Sequence, residues 1–191
     1  EWLISAIDTA IKHNPDDDWT VRDKAKLLIK SGKKEDAVKV YEDLVFKLGD
    51  KYYVWQEFSD CIDDTNAKIG MLCKAISMEK NEDFIGNIRL SLAECLLNEG
   101  LKAEACHELE LYKANYESKG WKVKARYEAL QSKCEGVTAV NDNKDLYQKY
   151  IPLAEEYAYS SIPAYELLII DDWKDNDGKK QNEEDNRCQR K

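Results

Sequence analysis

The side chains with the most chemistry to offer in this 191-residue chain are six cysteines, two histidines and several clusters of acids. The cysteines stand at 61, 73, 95, 106, 134 and 188, with no Cys-x-x-Cys pair. A structural zinc site needs close thiol pairs or partnering imidazoles, and only His13 and His107 exist, so the thiols read as free ones in a reducing, cytoplasmic setting. Cys61 and Cys95 lie 34 residues apart, as expected for a small packing residue at equivalent places of a repeat, whereas a catalytic thiol has no reason to recur. His13 precedes Asn14 and Pro15 at a helix end, where a partly charged imidazole complements the helix dipole, and His107 reads as a surface residue. Asp60, Asp63 and Asp64 have the spacing of a water-facing helical stripe rather than a cation site. Asp175, Asp177, Gly178 and Glu184 match part of a calcium loop, but its first ligand position holds Trp173, so a solvated turn is expected. There is no Gly-rich phosphate loop, no Gly-x-Ser-x-Gly and no His-Glu-x-x-His. No reaction, metal or cofactor is therefore assigned.

The elements that carry these residues follow from composition and period. With 35% charged residues and a net charge of −9, the chain suits water and is a poor match for a phosphate backbone, so nucleic acid is disfavoured. No window approaches the ~20 apolar residues of a membrane span, and runs such as Leu167 to Ile170 are far shorter. The first residues lack the basic start and apolar core of a secretory signal, and the start at Glu1 reads as a piece of a longer protein. Eight glycines and three prolines, widely spaced, favour an all-α chain.

A period is visible in the residue types. Ala25, Leu28, Gly32 and Ala37 are matched 68 residues later by Ala93, Leu96, Gly100 and Ala105, and the midpoints are Ser59, Ile62, Asn66 and Met71. Half of 68 is 34. A helix from about Trp19 to Lys30 needs a small residue where a neighbouring backbone comes close, and an apolar one a turn later. Gly32, Asn66 and Gly100 are then expected to close helices in the left-handed region. A second helix follows, from about Lys34 to Lys47, with Ala37, Val40, Tyr41, Leu44 and Val45 on one face.

This pattern resembles the tetratricopeptide repeat family, whose 34-residue period and aromatic start are echoed in Trp55, Phe58, Ser59 and Ile62. The copies are degenerate: Arg89 stands where the third unit would carry its aromatic. Ala10 to Pro15 resembles the end of a second helix. The resemblance implies a half repeat at 1–17, repeats at 18–51, 52–85 and 86–119, and an atypical hairpin at 120–160, with helices near Trp121 to Cys134 and Lys144 to Tyr159. Pro152 is expected to kink the last helix or open a short one. Residues 161–191 change character and read as a linker or strand, with an Asp177-Gly178 turn suggesting a short β-hairpin, then a polar tail; they suit the start of a further domain.

The resemblance also implies a right-handed α-α superhelix with a concave groove lined by the first helix of each unit, where peptides bind. The groove residues would be Trp19, Arg22 and Lys26 in the first unit, Tyr53, Gln56, Asp60 and Asp63 in the second, and Asn87, Glu94 and Asn98 in the third. Trp121, with Lys124 and Glu128, would extend it. Chaperone-binding members of the family grip a C-terminal carboxylate, but here Asp60 and Glu94 stand where the clamp asparagines are expected, so a basic partner with an aromatic or apolar anchor is indicated. The expected function is a protein-interaction scaffold, with a regulatory arm of a larger enzyme or signalling protein, or an RNA-binding helical repeat, as alternatives. Oligomeric state is left open.

Overall fold

The computed structural model describes residues 2–163, together with the backbone at Trp173, Lys174, Lys180 and Gln181. Residues Glu1–Ser161 form one compact unit and Ile162–Lys191 a second. The first unit is all-α. Its helices are α1 (Trp2–His13), α2 (Asp18–Lys30), α3 (Lys34–Leu48), α4 (Tyr52–Ser59), α5 (Thr65–Met78), α6 (Glu82–Asn98), α7 (Lys102–Ser118), α8 (Ala125–Gln131) and α9 (Lys144–Ala158), with a 3-10 turn at Ser132–Cys134.

Short-range chemistry sets most boundaries. Gly32, Gly100 and Gly120 have φ of 74°, 77° and 67°. In each case the glycine N–H and the next residue's N–H turn back onto the last helical carbonyls, as in Gly32 to Ile29 and Lys33 to Leu28. Helix starts are capped by side chains: the Asp17 carboxylate accepts from the Trp19 N–H, Asp64 from Ala67 and Asn81 from Asp83.

Successive helices pack as hairpins, α2 on α3, α4 on α5 and α6 on α7, and each hairpin also meets the next. The recurring positions do what their types require. Ala25, Ala93, Ala37 and Ala105 are fully buried where helices approach, and Leu28, Ile62 and Leu96 fill the space beside them.

The middle unit departs from the expected frame. Helix α4 ends at Ser59 after eight residues. Because Asp64 captures the Ala67 N–H and starts α5 at Thr65, Asn66 lies inside that helix and closes nothing. Among the described residues no non-glycine residue has a positive φ. Likewise Asn81 starts α6 at Glu82, four residues before the expected start at Gly86.

The fourth hairpin is also different from expectation. Residues 121–124 are not helical, so α8 begins only at Ala125, and α9 finds its main partner in α5 rather than in α8. The reason lies in α5, which buries Ala67, Ile69, Gly70, Met71, Leu72, Cys73, Ala75 and Ile76 and so is apolar nearly all round. A helix of that kind must be surrounded. Helix α9 supplies the missing cover with Leu146, Tyr150, Ala154 and Ala158, and Pro152 sits within it.

In the second unit, Trp173 and Lys174 pair antiparallel with Gln181 and Lys180. The expected Asp177-Gly178 turn and its hairpin, the partial calcium-loop pattern and the polar tail lie outside the described residues. No helix among the described residues is long and apolar enough to cross a membrane.

Candidate functional site

One face of the first unit is stitched together by side chains about one period apart. Arg22 of α2 reaches Glu57 of α4, Asn87 of α6 meets Lys124 just before α8, and Arg126 of α8 meets Ser91 and Glu94 of α6. These ties join α2 to α4 and α6 to the start of α8.

The densest part centres on Arg22. Its Nε and Nη2 donate to the two oxygens of Glu57, at 3.1 and 2.7 Å, a forked geometry that fixes the guanidinium plane. Burial opposes the charge, but Glu57 outweighs it and holds the Arg22 pKa above its ordinary value. Lys26 meets the same carboxylate at 2.9 Å. The guanidinium carbon lies 4.5 Å from the Trp19 ring centre and 4.0 Å from that of Tyr53, and the two rings stack at 6.2 Å. The Arg22 side chain is only 7% exposed, and its Nη1 is buried with no partner. Trp19 is 67% exposed. Beside them a cleft of about 250 Å³ is lined by Asp16, Asp17, Asp18, Trp19, Arg22, Leu48 and Tyr53.

The acids further along are less free than their types suggest. Asp63 follows the end of α4 and pairs with Lys34 at 2.7 Å, a contact that lowers its pKa. Glu94 meets Arg126 at 2.5 Å. Asp60 forms the C-terminal cap position of α4 and keeps an exposed edge, yet the surrounding protein desolvates its carboxylate and raises its pKa. The helical stripe expected of Asp60, Asp63 and Asp64 is therefore broken: all three lie in the α4–α5 connection, and Asp64 is a cap. Gln56 is half-buried on α4, while Asn87 and Asn98 are exposed on α6. Trp121 is not on a helix. It sits edge-on against Tyr116 at the end of α7, half exposed.

Glu57, Arg126 and the Asp16–Asp18 run were not singled out in the sequence. Arg22 to Glu57 spans 35 residues and Glu94 to Arg126 spans 32, so opposite charges one period apart were the available signal. The opposite side holds a buried network with no such signal. Glu108, fully buried, accepts from Arg89 at 2.5 Å, Asn143 at 2.7 Å and Tyr147 at 2.9 Å. Arg89 also forks onto Glu82. Burial, then the Glu108 charge, pushes the Tyr147 hydroxyl pKa upward.

The described cysteines are free thiols. Burial pushes Cys61 up to about 12, and Cys73 and Cys95 upward, which suits packing and disfavours thiolate chemistry. Cys61 is buried, while Cys95, its partner in the period, is half-buried.

Residues 18–154 match the family described as a domain of unknown function, DUF7017. The chain belongs to the DUF7017 family. The matched span runs from the first residue of α2 into α9, so the helix laid across α5 falls largely within the DUF7017 domain. No curated protein and no solved structure matches the chain.

Proposed function

We propose that this DUF7017 domain is a protein-interaction scaffold, a tetratricopeptide-like array that binds a peptide or partner protein on the face built from α2, α4 and α6. The observation that carries this reading is the Trp19, Arg22 and Tyr53 cluster. A two-thirds exposed indole stacked on a buried, fixed guanidinium keeps apolar area in water, and such anchors dominate the energetics of interfaces. The ties from α2 to α4 and from α6 to α8, each between residues about one period apart, support the array. Binding, rather than catalysis, suits a surface where Glu57, Asp63 and Glu94 are drawn into ion pairs and thiols such as Cys61 sit in the core.

The array need not be uniform to work in this way. Helix α9 covers α5, the second helix of the middle hairpin. The reading is tested by panning the folded chain against displayed peptides and mapping the footprint of the best binder by amide hydrogen exchange. Protection on α2, α4 and α6 is the expected result. A footprint on α3, α5 or α7, or no binder at all, overturns it.

A further inference from the structure

We infer that the cleft at the N-terminal end of α2 captures a lysine or arginine of the bound peptide, with the adjoining main-chain carbonyl accepting from Arg22 Nη1. This rests on the interaction reading above and adds the chemistry of the partner. Three independent features of the cleft agree on it.

The first is an unanswered donor. Glu57 occupies Nε and Nη2 of Arg22, and Nη1 is left buried without an acceptor. A buried donor without a partner has lost its water without compensation, so an acceptor that reaches it gains more than one that exchanges with water. A peptide carbonyl has the right size and is neutral, which matters because Glu57 already balances the guanidinium. A carboxylate would instead meet the acids beside the cleft.

The second feature is charge. Asp16, Asp17 and Asp18 line the cleft together. The nearby lysines are engaged elsewhere, Lys24 with Asp8 and Lys26 with Glu57, and no ion pair joins Asp16 or Asp18 among the described residues. Asp17 is occupied as a helix cap, accepting from the Trp19 N–H and the Thr20 hydroxyl. Asp16 and Asp18 are therefore the two carboxylates open to an incoming cation.

The third is the aromatic wall. Trp19 and Tyr53 already hold one guanidinium against their faces. The outer surface of the Trp19 ring, being exposed, offers an incoming alkyl-ammonium or guanidinium a further face, and its stem an apolar neighbour in Leu48.

The test titrates the folded chain with three blocked, fluorescently labelled nonapeptides of alternating composition: Lys with Leu, Glu with Leu, and Gln with Leu. The Lys peptide is expected to bind at least about tenfold more tightly than the Gln peptide and more tightly still than the Glu peptide. The Asp16→Asn and Asp18→Asn double variant should lose about tenfold for the Lys peptide alone. Trp19→Ala should lose as much, with Trp19→Phe restoring part of it. The guanidinium N–H resonances of Arg22 should shift on addition of the Lys peptide. Circular dichroism and thermal melts of each variant separate lost binding from lost folding. Equal affinity for all three peptides, or binding unchanged by the acid and Trp19 variants, overturns the inference. If the Lys peptide still binds, and binding falls only on Asp60→Lys with Glu94→Lys, the interaction face stands and this cleft does not. If nothing binds and panning also finds no partner, both fall.

Discussion

Glu108 and Glu94 are carboxylates with an arginine partner at the same 2.5 Å, and their surroundings make them very different. The Arg89 and Glu108 side chains are 7% and 1% exposed, whereas Arg126 and Glu94 are 45% and 46% exposed. Breaking the buried pair leaves charge without water to solvate it, so Glu108→Ala should destabilise by about 3 kcal/mol or more in urea unfolding. Arg126→Ala should cost under about 1 kcal/mol. Tyr147→Phe removes one donor from Glu108 and should cost about 1 kcal/mol, less when combined with Glu108→Ala because the two share a network.

Asp60 gives a pH test at the same scale. Although Asp60 is exposed as a residue, the protein around its carboxylate partly desolvates it and raises its folded-state pKa above the unfolded value. The contribution thus favours the folded chain below the unfolded carboxylate range and is lost as pH rises through the folded pKa, leaving the ionised form as a penalty at neutral pH. Asp60→Asn should therefore melt higher than the parent at pH 7, and the difference should shrink towards zero below about pH 4. A constant offset across that range would show that burial does not penalise the charge.

Among the elements, α9 decides most. A Cβ placed at Gly70 would overlap the Tyr150 carbonyl and come within 2.9 Å of the Ala154 Cβ, so the absence of a side chain at Gly70 is what lets α9 lie on α5. Gly70→Ala should force the helices apart and destabilise by about 2–3 kcal/mol, despite the better helix propensity of alanine. Limited proteolysis should then cut first in residues 135–143, the connection into α9. Helix caps make a milder comparison: Asp64→Ala should cost about 1 kcal/mol through loss of the bond to the Ala67 N–H. The sequence signals for these elements were uneven. Gly32 and Gly100 were legible as helix closers because only glycine takes that backbone conformation without strain. Asn66 was not, because the choice between closing one helix and lying within the next was made by Asp64, two residues away.

For the whole molecule, removing residues 136–191 would uncover α5 along the side that α9 covers and strip Glu108 of two of its donors. The shortened chain should lose roughly 10 °C or more in thermal midpoint, bind a hydrophobic dye and aggregate on heating. The RNA-binding alternative is addressed by a gel shift with single-stranded RNA at low ionic strength, where counterion release is most favourable. No shift is the expected outcome, given the net charge of −9 and acids spread along the first-helix face. A salt-sensitive shift would support that alternative instead.

The sequence by itself determined that the chain is helical, where its small residues allow close approach, and the turns at Gly32 and Gly100. Those features depend on residue type and on neighbours a few positions away, and a 34-residue spacing makes them repeat. The resemblance to tetratricopeptide repeats put Trp19, Arg22 and Tyr53 in one expected groove set. Only the tertiary structure decided that Arg22 is clasped by Glu57 and left with one unanswered donor, that Trp121 packs on Tyr116 off any helix, and that Glu94 is spent on Arg126. The return of α9 across α5 belongs to the same class. Residues 81 apart, such as Lys74 and Glu155, share no local pattern, and their meeting follows from a helix that is apolar nearly all round and must find cover from wherever the chain can supply it.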